Sequence, residues 1–498
     1  MQSVKVTPAG KAPDGPQPGR PDADQRAAFE PSQTATFAAR LVAHWSDLLR
    51  LAWPVMLSRA GIFTLSLADI VMIGRYATGP LAETGLALSI FVPIMVTGVG
   101  AMVGIVALSA RAIGAGDRDE AAKVWRRGIA WALVIGLLCS ALSLLAGPFL
   151  HLIEQPAPLA DAAGRLARIL APGALFQILF IACSFYLEAT RRMLPGLICM
   201  ALANLVNIAG NWLLISGNLG FPALGAEGAA LAVVLARLIM AGAILAYILR
   251  LPEIRALPVS GFWGPGGWRA AGGIRTLGLA SALALFFETG AFAAVNLFAG
   301  YISADALAAY AIAHQVEGTV FMIALGLSVA AAVRVGHAYG AGRIAEARFA
   351  GWSALAVTML AVALMSSGVV WGAGRLGGLF SEDPAMIART APLFVILAVS
   401  LIFDGGQVVI GQANRAMGDS WASTACFFVS FWLVMVPLAY ALALMTPLRE
   451  AGLFLATAAG CIVALILLSW RFHSLLARAE RGNPDRQHRP PDHAARSA

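Results

Sequence analysis

Three acidic residues stand inside long apolar runs, where an ionised side chain is hard to keep. Asp69 lies in Leu-Ala-Asp-Ile-Val-Met-Ile-Gly, Glu288 in Leu-Phe-Phe-Glu-Thr-Gly-Ala-Phe and Asp404 in Leu-Ile-Phe-Asp-Gly-Gly-Gln. A charge at the centre of a bilayer costs about 2.5–3.5 kcal/mol on insertion scales. Such residues therefore mark ion or substrate routes, or else pair with a cation in the same layer. Arg59 and Arg237 are the cations at hand, and they neutralise at most two of the three acids. The chemistry open to isolated buried carboxylates is reversible: burial favours the protonated form and a nearby cation favours the ionised one.

Polar and aromatic residues accompany the acids. Asn204, Asn207 and Asn211 recur at spacings of three and four, which places their amides on one helix face. They either line an ion or substrate path or bond neighbouring helices. Phe286, Phe287, Phe292, Phe298, Tyr310 and Phe403 lie near the acids in sequence. Such rings stack planar cations or simply pack against lipid. Gln315 joins Phe287, Phe292 and Tyr310 as a candidate for a substrate cavity. His314 and Glu317, at helical spacing, read first as a local hydrogen-bonded pair and second as part of a proton route.

The absences are equally informative. No GxxxxGK[ST] loop is present to hold nucleotide phosphates, and no HExxH motif or catalytic set lies outside the apolar runs. An enzyme is not expected, nor is a cofactor, and energy must come from an ion gradient or a partner. Cys139, Cys183, Cys199, Cys426 and Cys461 all fall in apolar runs without a CxxC pair. They read as small core residues.

The elements that position these residues follow from composition. Only 12% of the 498 residues are charged, 59% are hydrophobic and the mean hydropathy is +0.76. A soluble domain carries roughly 25% charged residues. The apolar runs are near or above the ~20 residues that span a bilayer as a helix. Twelve spans are read, centred on 48–74, 82–110, 129–149, 164–188, 194–216, 226–249, 276–300, 305–334, 351–374, 386–413, 420–445 and 451–475. The net charge of +8 is spread over short loops and tails, not over a basic aromatic face, so nucleic acid is not an expected partner. Arg111, Arg118, Lys123, Arg126 and Arg127 follow span two, and Arg250, Arg255, Arg269 and Arg275 follow span six. Loops 76–81, 217–225 and 301–304 contain no Lys or Arg. This alternation puts both termini in the cytoplasm. Ala- and Arg-rich usage points to a bacterium with a GC-rich genome, and the expected location is its inner membrane.

The chain is also an internal duplication. At a constant offset of 226, Gly74 matches Gly300, Gly100 matches Gly326, Gly114-Ala115-Gly116 matches Gly340-Ala341-Gly342 and Glu120-Ala121 matches Glu346-Ala347. Six spans per copy is an even number, so both copies enter from the same side and form a parallel repeat of the kind found in transporters. The acids do not obey the repeat: Asp69 aligns with Val295, and Glu288 with Ile62. The expected organisation is an arm at 1–45, a first lobe at 46–250, a linker at 251–275, a second lobe at 276–475 and a tail at 476–498. The arm and tail are polar or Pro-rich and read as disordered.

Several motifs in this order resemble the MATE (multidrug and toxic compound extrusion) family, in its bacterial NorM-like branch. They are Pro54 followed by Asp69-Ile-Val-Met-Ile-Gly74, Asn207-x3-Asn211 followed by Gly217 and Pro222, Glu288 with Phe292, Val333-Arg334-Val335-Gly336, and Asp404 with Gln407. The resemblance covers about 48 to 475. It implies an all-α membrane protein, a V-shaped pair of six-helix lobes, and export of cationic, often aromatic drugs against Na⁺ or H⁺. It also implies that Asp69, Asn207 and Asn211 form a polar site in the first lobe. Glu288 and Asp404 would form an ion site in the second, with Na⁺ a possible occupant. A monomer in the lipid bilayer is expected. The chain departs from the family at Tyr310-Ala311, where a His-Gln pair is usual, and at Arg59, where an uncharged residue is common. The alternative within the superfamily is a flippase for lipid-linked sugars or a polysaccharide exporter, which calls for a basic cavity.

Overall fold

The structure, a computed structural model, describes residues 37–481 apart from 77, 259–260, 265 and 381–383. Most of the expected arm and tail thus lies outside the described residues. Among those described, every regular element is helical. The first long helix, α1, runs Phe37–Tyr76, and residues from His44 onward belong to one compact unit. Eleven further helices are long and apolar enough to cross a membrane. They are α2 Glu83–Gly114, α3 Arg118–Leu144, α4 Ala157–Ala189, α5 Leu194–Leu214, α6 Ala226–Ile248, α7 Gly272–Ile302, α8 Asp305–Gly340, α9 Ile344–Trp371, α10 Pro384–Ala416, α11 Trp421–Leu444 and α12 Arg449–Arg481. Together with α1 they account for the twelve spans. Several boundaries differ from those expected of the sequence: α1 begins inside the arm, α7 inside the linker, and α12 continues into the tail.

Local chemistry sets where helices start and bend. Asp117 accepts a hydrogen bond from the Glu120 backbone N–H (2.7 Å) and caps α3, and Ser303 accepts from the Ala306 N–H (3.0 Å) at the head of α8. Pro54, Pro93, Pro172 and Pro392 lie inside α1, α2, α4 and α10, where each removes one helical donor. Within α11 the segment Val429–Met435 winds as a π-helix, a local irregularity that often accompanies functional positions.

Two apolar cores follow the sequence repeat. One gathers Phe91, Trp125, Ile178, Phe180 and Met240 from the first half. The other gathers Tyr310, Phe394, Phe431, Phe454 and Phe472 from the second. A smaller core joins the halves: Leu48, Leu51, Ala52 and Val55 of α1 pack with Leu327, Ala330 and Ala331 of α8 and with Ala354, Val357 and Val409.

The contact between the halves obeys the repeat residue by residue. A Cβ added to Gly114 would lie 2.1 Å from the His337 carbonyl oxygen, and one added to Gly340 would lie 2.1 Å from the Arg111 carbonyl oxygen. Arg111 and His337 are themselves 226 positions apart, as are the two glycines. Elsewhere along the same helices, a Cβ on Gly100 would meet the Ala282 backbone at 2.8 Å, and one on Gly326 would meet the Met56 backbone at 3.0 Å. Met56 and Ala282 again differ by 226. Backbones that approach this closely tolerate only hydrogen at the contact, which is how small residues act between membrane helices. The Gly-Ala-Gly end is reinforced by charge: Asp47 lies 3.9 Å from Arg191 and 3.8 Å from Arg334, and the His337 ring nitrogen Nε2 is 2.8 Å from the Ala189 carbonyl oxygen.

Candidate ion and substrate site

In the first half, α5 presents Asn207 and Asn211 one turn apart to α1. Both amide nitrogens donate to the same Oδ1 of Asp69, each at 2.7 Å. Asp69 is 8% exposed and the two asparagines are fully buried. All three asparagines face α1, as the spacing expects, but only this pair reaches Asp69. Asn204 instead donates to the Gly61 carbonyl (3.1 Å) and to the Met200 carbonyl of its own helix (3.0 Å). The amide oxygens of Asn207 and Asn211 are buried without a donor. A carboxylate with two spare amide oxygens beside it is an acceptor-rich pocket.

In the second half, Gln407 joins two acids from different helices. Its Nε2 donates to Glu288 Oε1 on α7 (3.1 Å) and to Asp404 Oδ1 on its own α10 (3.0 Å). Glu288 is 9% exposed, Asp404 3% and Gln407 0%. The Cys461 thiol of α12 also donates to Asp404 Oδ1 (3.7 Å). Gln407 Oε1 is left buried and unpartnered. Cys461 is therefore more than a core filler, and Gln407, legible only as part of the Asp404 motif, is the bridge.

The ion pairing separates these three acids from structural ones. Arg59 pairs with Glu188 at 2.9 Å, with both side chains 7% exposed, and its Cζ lies 5.4 Å from the Phe185 ring centroid. Glu450, another buried acid, at the head of α12, pairs with Arg389. Asp69, Glu288 and Asp404 enter no salt bridge among the described residues. Arg237 acts on Asp69, and Arg415 on Glu288, only through the electrostatic field. Each guanidinium instead stacks at 5.2 Å on a phenylalanine, Phe91 and Phe427 respectively. Each keeps two buried nitrogens without an acceptor: Nε and Nη1 of Arg237, Nε and Nη2 of Arg415. Glu188 carries no signal in the sequence as the partner of Arg59, because pairing across 129 positions has no local pattern.

The aromatic residues divide. Phe287 packs 5.0 Å from Phe428, and its carbonyl accepts from the Trp432 indole N–H (2.9 Å) in the π-helical turn. Phe292 sits between His314 (5.8 Å) and Phe431 (6.2 Å). Tyr310 is only 2% exposed, stacked 5.8 Å from His314 and 5.3 Å from Phe454. Gln315 is exposed. Thus Phe287 and Phe292 adjoin the Glu288 helix face with partial exposure, whereas Tyr310 belongs to the packed interior. No group of three or more His, Cys, Asp or Glu is gathered as a metal cage among the described residues.

The MatE family model matches residues 54–213 and 280–441. Its two starting points differ by 226, the offset of the internal repeat. The chain is 36% identical over 431 residues to a probable multidrug resistance protein NorM of Caulobacter vibrioides, covering 86% of this chain and 91% of that one. It is 27% identical to the multidrug resistance protein NorM of Aliivibrio fischeri, over 85% and 93% of the two chains. The fold is shared with a eukaryotic MATE transporter at a TM-score of 0.80 and 21% identity, over 89% of this chain and 99% of that one. It is shared equally with an outward-facing MATE family transporter of the MOP superfamily, at a TM-score of 0.80 and 20% identity, over 90% and 100%. With both halves matched by the family model and a relative this similar along most of its length, the chain is a multi-pass membrane protein that belongs to the MATE family of transporters and is not an enzyme.

Proposed function

We propose that the protein exports cationic, often aromatic small molecules across a bacterial inner membrane in exchange for inward-moving H⁺ or Na⁺. The observation that carries this reading is the state of the three acids. Asp69, Glu288 and Asp404 are buried, held by amides and a thiol, and free of salt bridges among the described residues, whereas the buried Glu188 is paired with Arg59. An acid that serves only structure gains from a fixed counter-charge. An acid that must take up and release a mobile cation is better served by neutral donors that orient it and leave its charge available.

The mechanism follows from competition. A proton or Na⁺ entering from outside and an organic cation from inside both stabilise ionisable carboxyls at the same positions. Na⁺ at Glu288 and Asp404 would find oxygen ligands, including the spare Gln407 Oε1. Organic cations would stack on partly exposed rings such as Phe287 and Phe292. Occupancy biases the two halves between openings, and the glycine contacts at 100–114 and 326–340 would close the Gly-Ala-Gly end in one of them. The Lys- and Arg-bearing loops support a cytoplasmic position for that end and for both termini. The multidrug resistance proteins among its relatives support drugs as the cargo. A monomer suffices, since each acid is held by residues of one chain.

A flippase for anionic lipid carriers draws less support. It needs free cations in the cavity; of the two candidates, Arg59 is already neutralised by Glu188, and Arg237, with two nitrogens buried, is stacked on Phe91 and in the field of Asp69. The test is efflux of ethidium and other fluorescent cations from cells, under imposed proton and sodium gradients in turn. Export under either gradient supports antiport. Absence of export for every dye under both gradients overturns it in favour of the flippase.

A further inference from the structure

The segment between α6 and α7 carries a surface that the exchange mechanism does not use. Arg250, Arg255, Arg269 and Arg275 stand in it against one acid, Glu253, and that acid pairs with Arg192 at 2.5 Å. On the adjoining α3, Glu120 pairs with Arg127 at 2.7 Å. The remaining arginines bond carbonyls instead of carboxylates. Arg255 Nε donates to the Leu249 carbonyl (3.4 Å) and Arg275 to the Trp268 carbonyl. Arg126 of α3 donates to the carbonyls of Phe262 (3.2 Å) and Gly261 (3.3 Å). A neutral carbonyl orients a guanidinium without cancelling its charge.

Aromatic rings join these cations into one strip. Phe262, whose carbonyl Arg126 holds, lies 5.1 Å from Trp263, and Trp263 lies 4.4 Å from Trp268. The Arg275 guanidinium then sits 3.4 Å from the Trp268 ring centroid. The strip thus runs from α3 of the first half to the start of α7 in the second. Its turn is shaped by glycine: Gly264 has a φ of +76° and an added Cβ would lie 3.1 Å from Arg126 Cγ. The rings are nevertheless left open, Phe262 at 53% and Trp268 at 48% exposure, and Arg255 and Arg269 are exposed beside them. The apolar span α6 ends at Ile248 and α7 begins at Gly272. Exposed tryptophan and arginine at the ends of spans suit the layer where hydrocarbon gives way to headgroups.

We propose that this strip binds the headgroup of an anionic phospholipid in the leaflet next to the α6–α7 segment. Phe262 and Trp268 supply the apolar side of the site, and Arg255, Arg269 and Arg275 supply the charge. The guanidinium fork matches phosphate oxygens and is weakly hydrated, so it gives up water readily to a phosphodiester. Cations without an acidic partner favour an anionic lipid over a zwitterionic one. An acidic soluble protein would answer the charge but not the two open rings at the level of the interface. On the orientation proposed above this is the inner leaflet; the site itself does not depend on that orientation or on the antiport reading.

The test uses the full-length protein purified in detergent and titrated with phosphatidylglycerol or phosphatidylcholine, with bound lipids counted by native mass spectrometry. Wild type is expected to bind phosphatidylglycerol more tightly than phosphatidylcholine. Each arginine lost beside an anionic lipid weakens binding about fivefold. Arg269→Gln, at an exposed position, should therefore lose about fivefold in phosphatidylglycerol affinity, and Arg255→Gln/Arg269→Gln about fivefold more. Arg481→Gln removes an exposed charge at the end of α12 and should bind the lipid as wild type does. Inorganic phosphate added to the same titration separates the sources. Displacement of the lipid by phosphate alone would make the strip a site for the free anion and overturn the lipid. Equal affinity of wild type for the two lipids overturns the proposal and leaves the strip to an acidic soluble partner. Equal losses in Arg269→Gln and Arg481→Gln overturn it too, because the attraction would then be general to the surface.

Discussion

Gln407 donates from α10 to Glu288 on α7, across 119 positions of sequence, at 3.1 Å. The same nitrogen holds Asp404 at 3.0 Å, so one amide couples two acids that a single cation can serve. Replacing it with Leu leaves both carboxyls buried without that donor. Gln407→Leu is expected to weaken coupling-ion binding by about tenfold for each 1.4 kcal/mol lost, and Gln407→Glu, which adds a negative charge beside both acids, to tighten proton binding and slow its release. Export rate against ion concentration, for protons and Na⁺ separately, reads the effect.

Asp69 is oriented by two amides at 2.7 Å. Hydrogen bonds between membrane helices contribute about 0.6–2 kcal/mol each. Asn207→Leu and Asn211→Leu should each lower the thermal midpoint of the purified protein by a corresponding amount and reduce ethidium affinity. Asn204→Leu, which removes bonds only to carbonyls, should leave that affinity near wild type.

The pair of Arg59 and Glu188 is a buried ion pair with each side chain 7% exposed. Removing one partner strands a buried charge, a loss of roughly 3–5 kcal/mol for Arg59→Met. The double variant Arg59→Met/Glu188→Met should recover most of this. A double-mutant cycle on thermal midpoints checks it, and a double loss equal to the sum of the single losses would show that the pair is not coupled.

Gly114 and Gly340 admit no side chain, because an added Cβ would lie 2.1 Å from a backbone oxygen of the other half. Gly114→Val and Gly340→Val should hold the halves apart, costing at least about 1–3 kcal/mol by overpacking, and abolish export. Gly242, whose added Cβ would meet nothing within 4 Å, is the control. Gly242→Ala should transport normally. Alkylation of a cysteine introduced at Ala110 reports the separation, and should be faster in the two valine variants.

Much of this architecture is legible in the amino-acid sequence. The three acids stand out because charge inside apolar runs is costly, and the Asn207–Asn211 spacing puts both amides on one face of α5. The 226-residue offset marks the halves, and the glycines at that offset are where they touch. Other features have no sequence signature. Glu188 stands at the end of the fourth expected span, 164–188, and only tertiary folding brings it to Arg59. Tyr310 reads as a cavity aromatic, since sequence proximity to Gln315 cannot tell the inner face of a helix from the outer; it is packed against Phe454. The π-helical turn that sets Phe431 and Trp432 against α7 depends on packing rather than on any residue preference.

The central claim is that the second-half acids, Glu288 and Asp404, act as the coupling site. Its most direct test is gradient-driven ethidium efflux from cells making wild type, Glu288→Gln or Asp404→Asn at equal membrane abundance. Export by wild type and its loss in both variants is the predicted result. Undiminished gradient-driven export by both variants would contradict it.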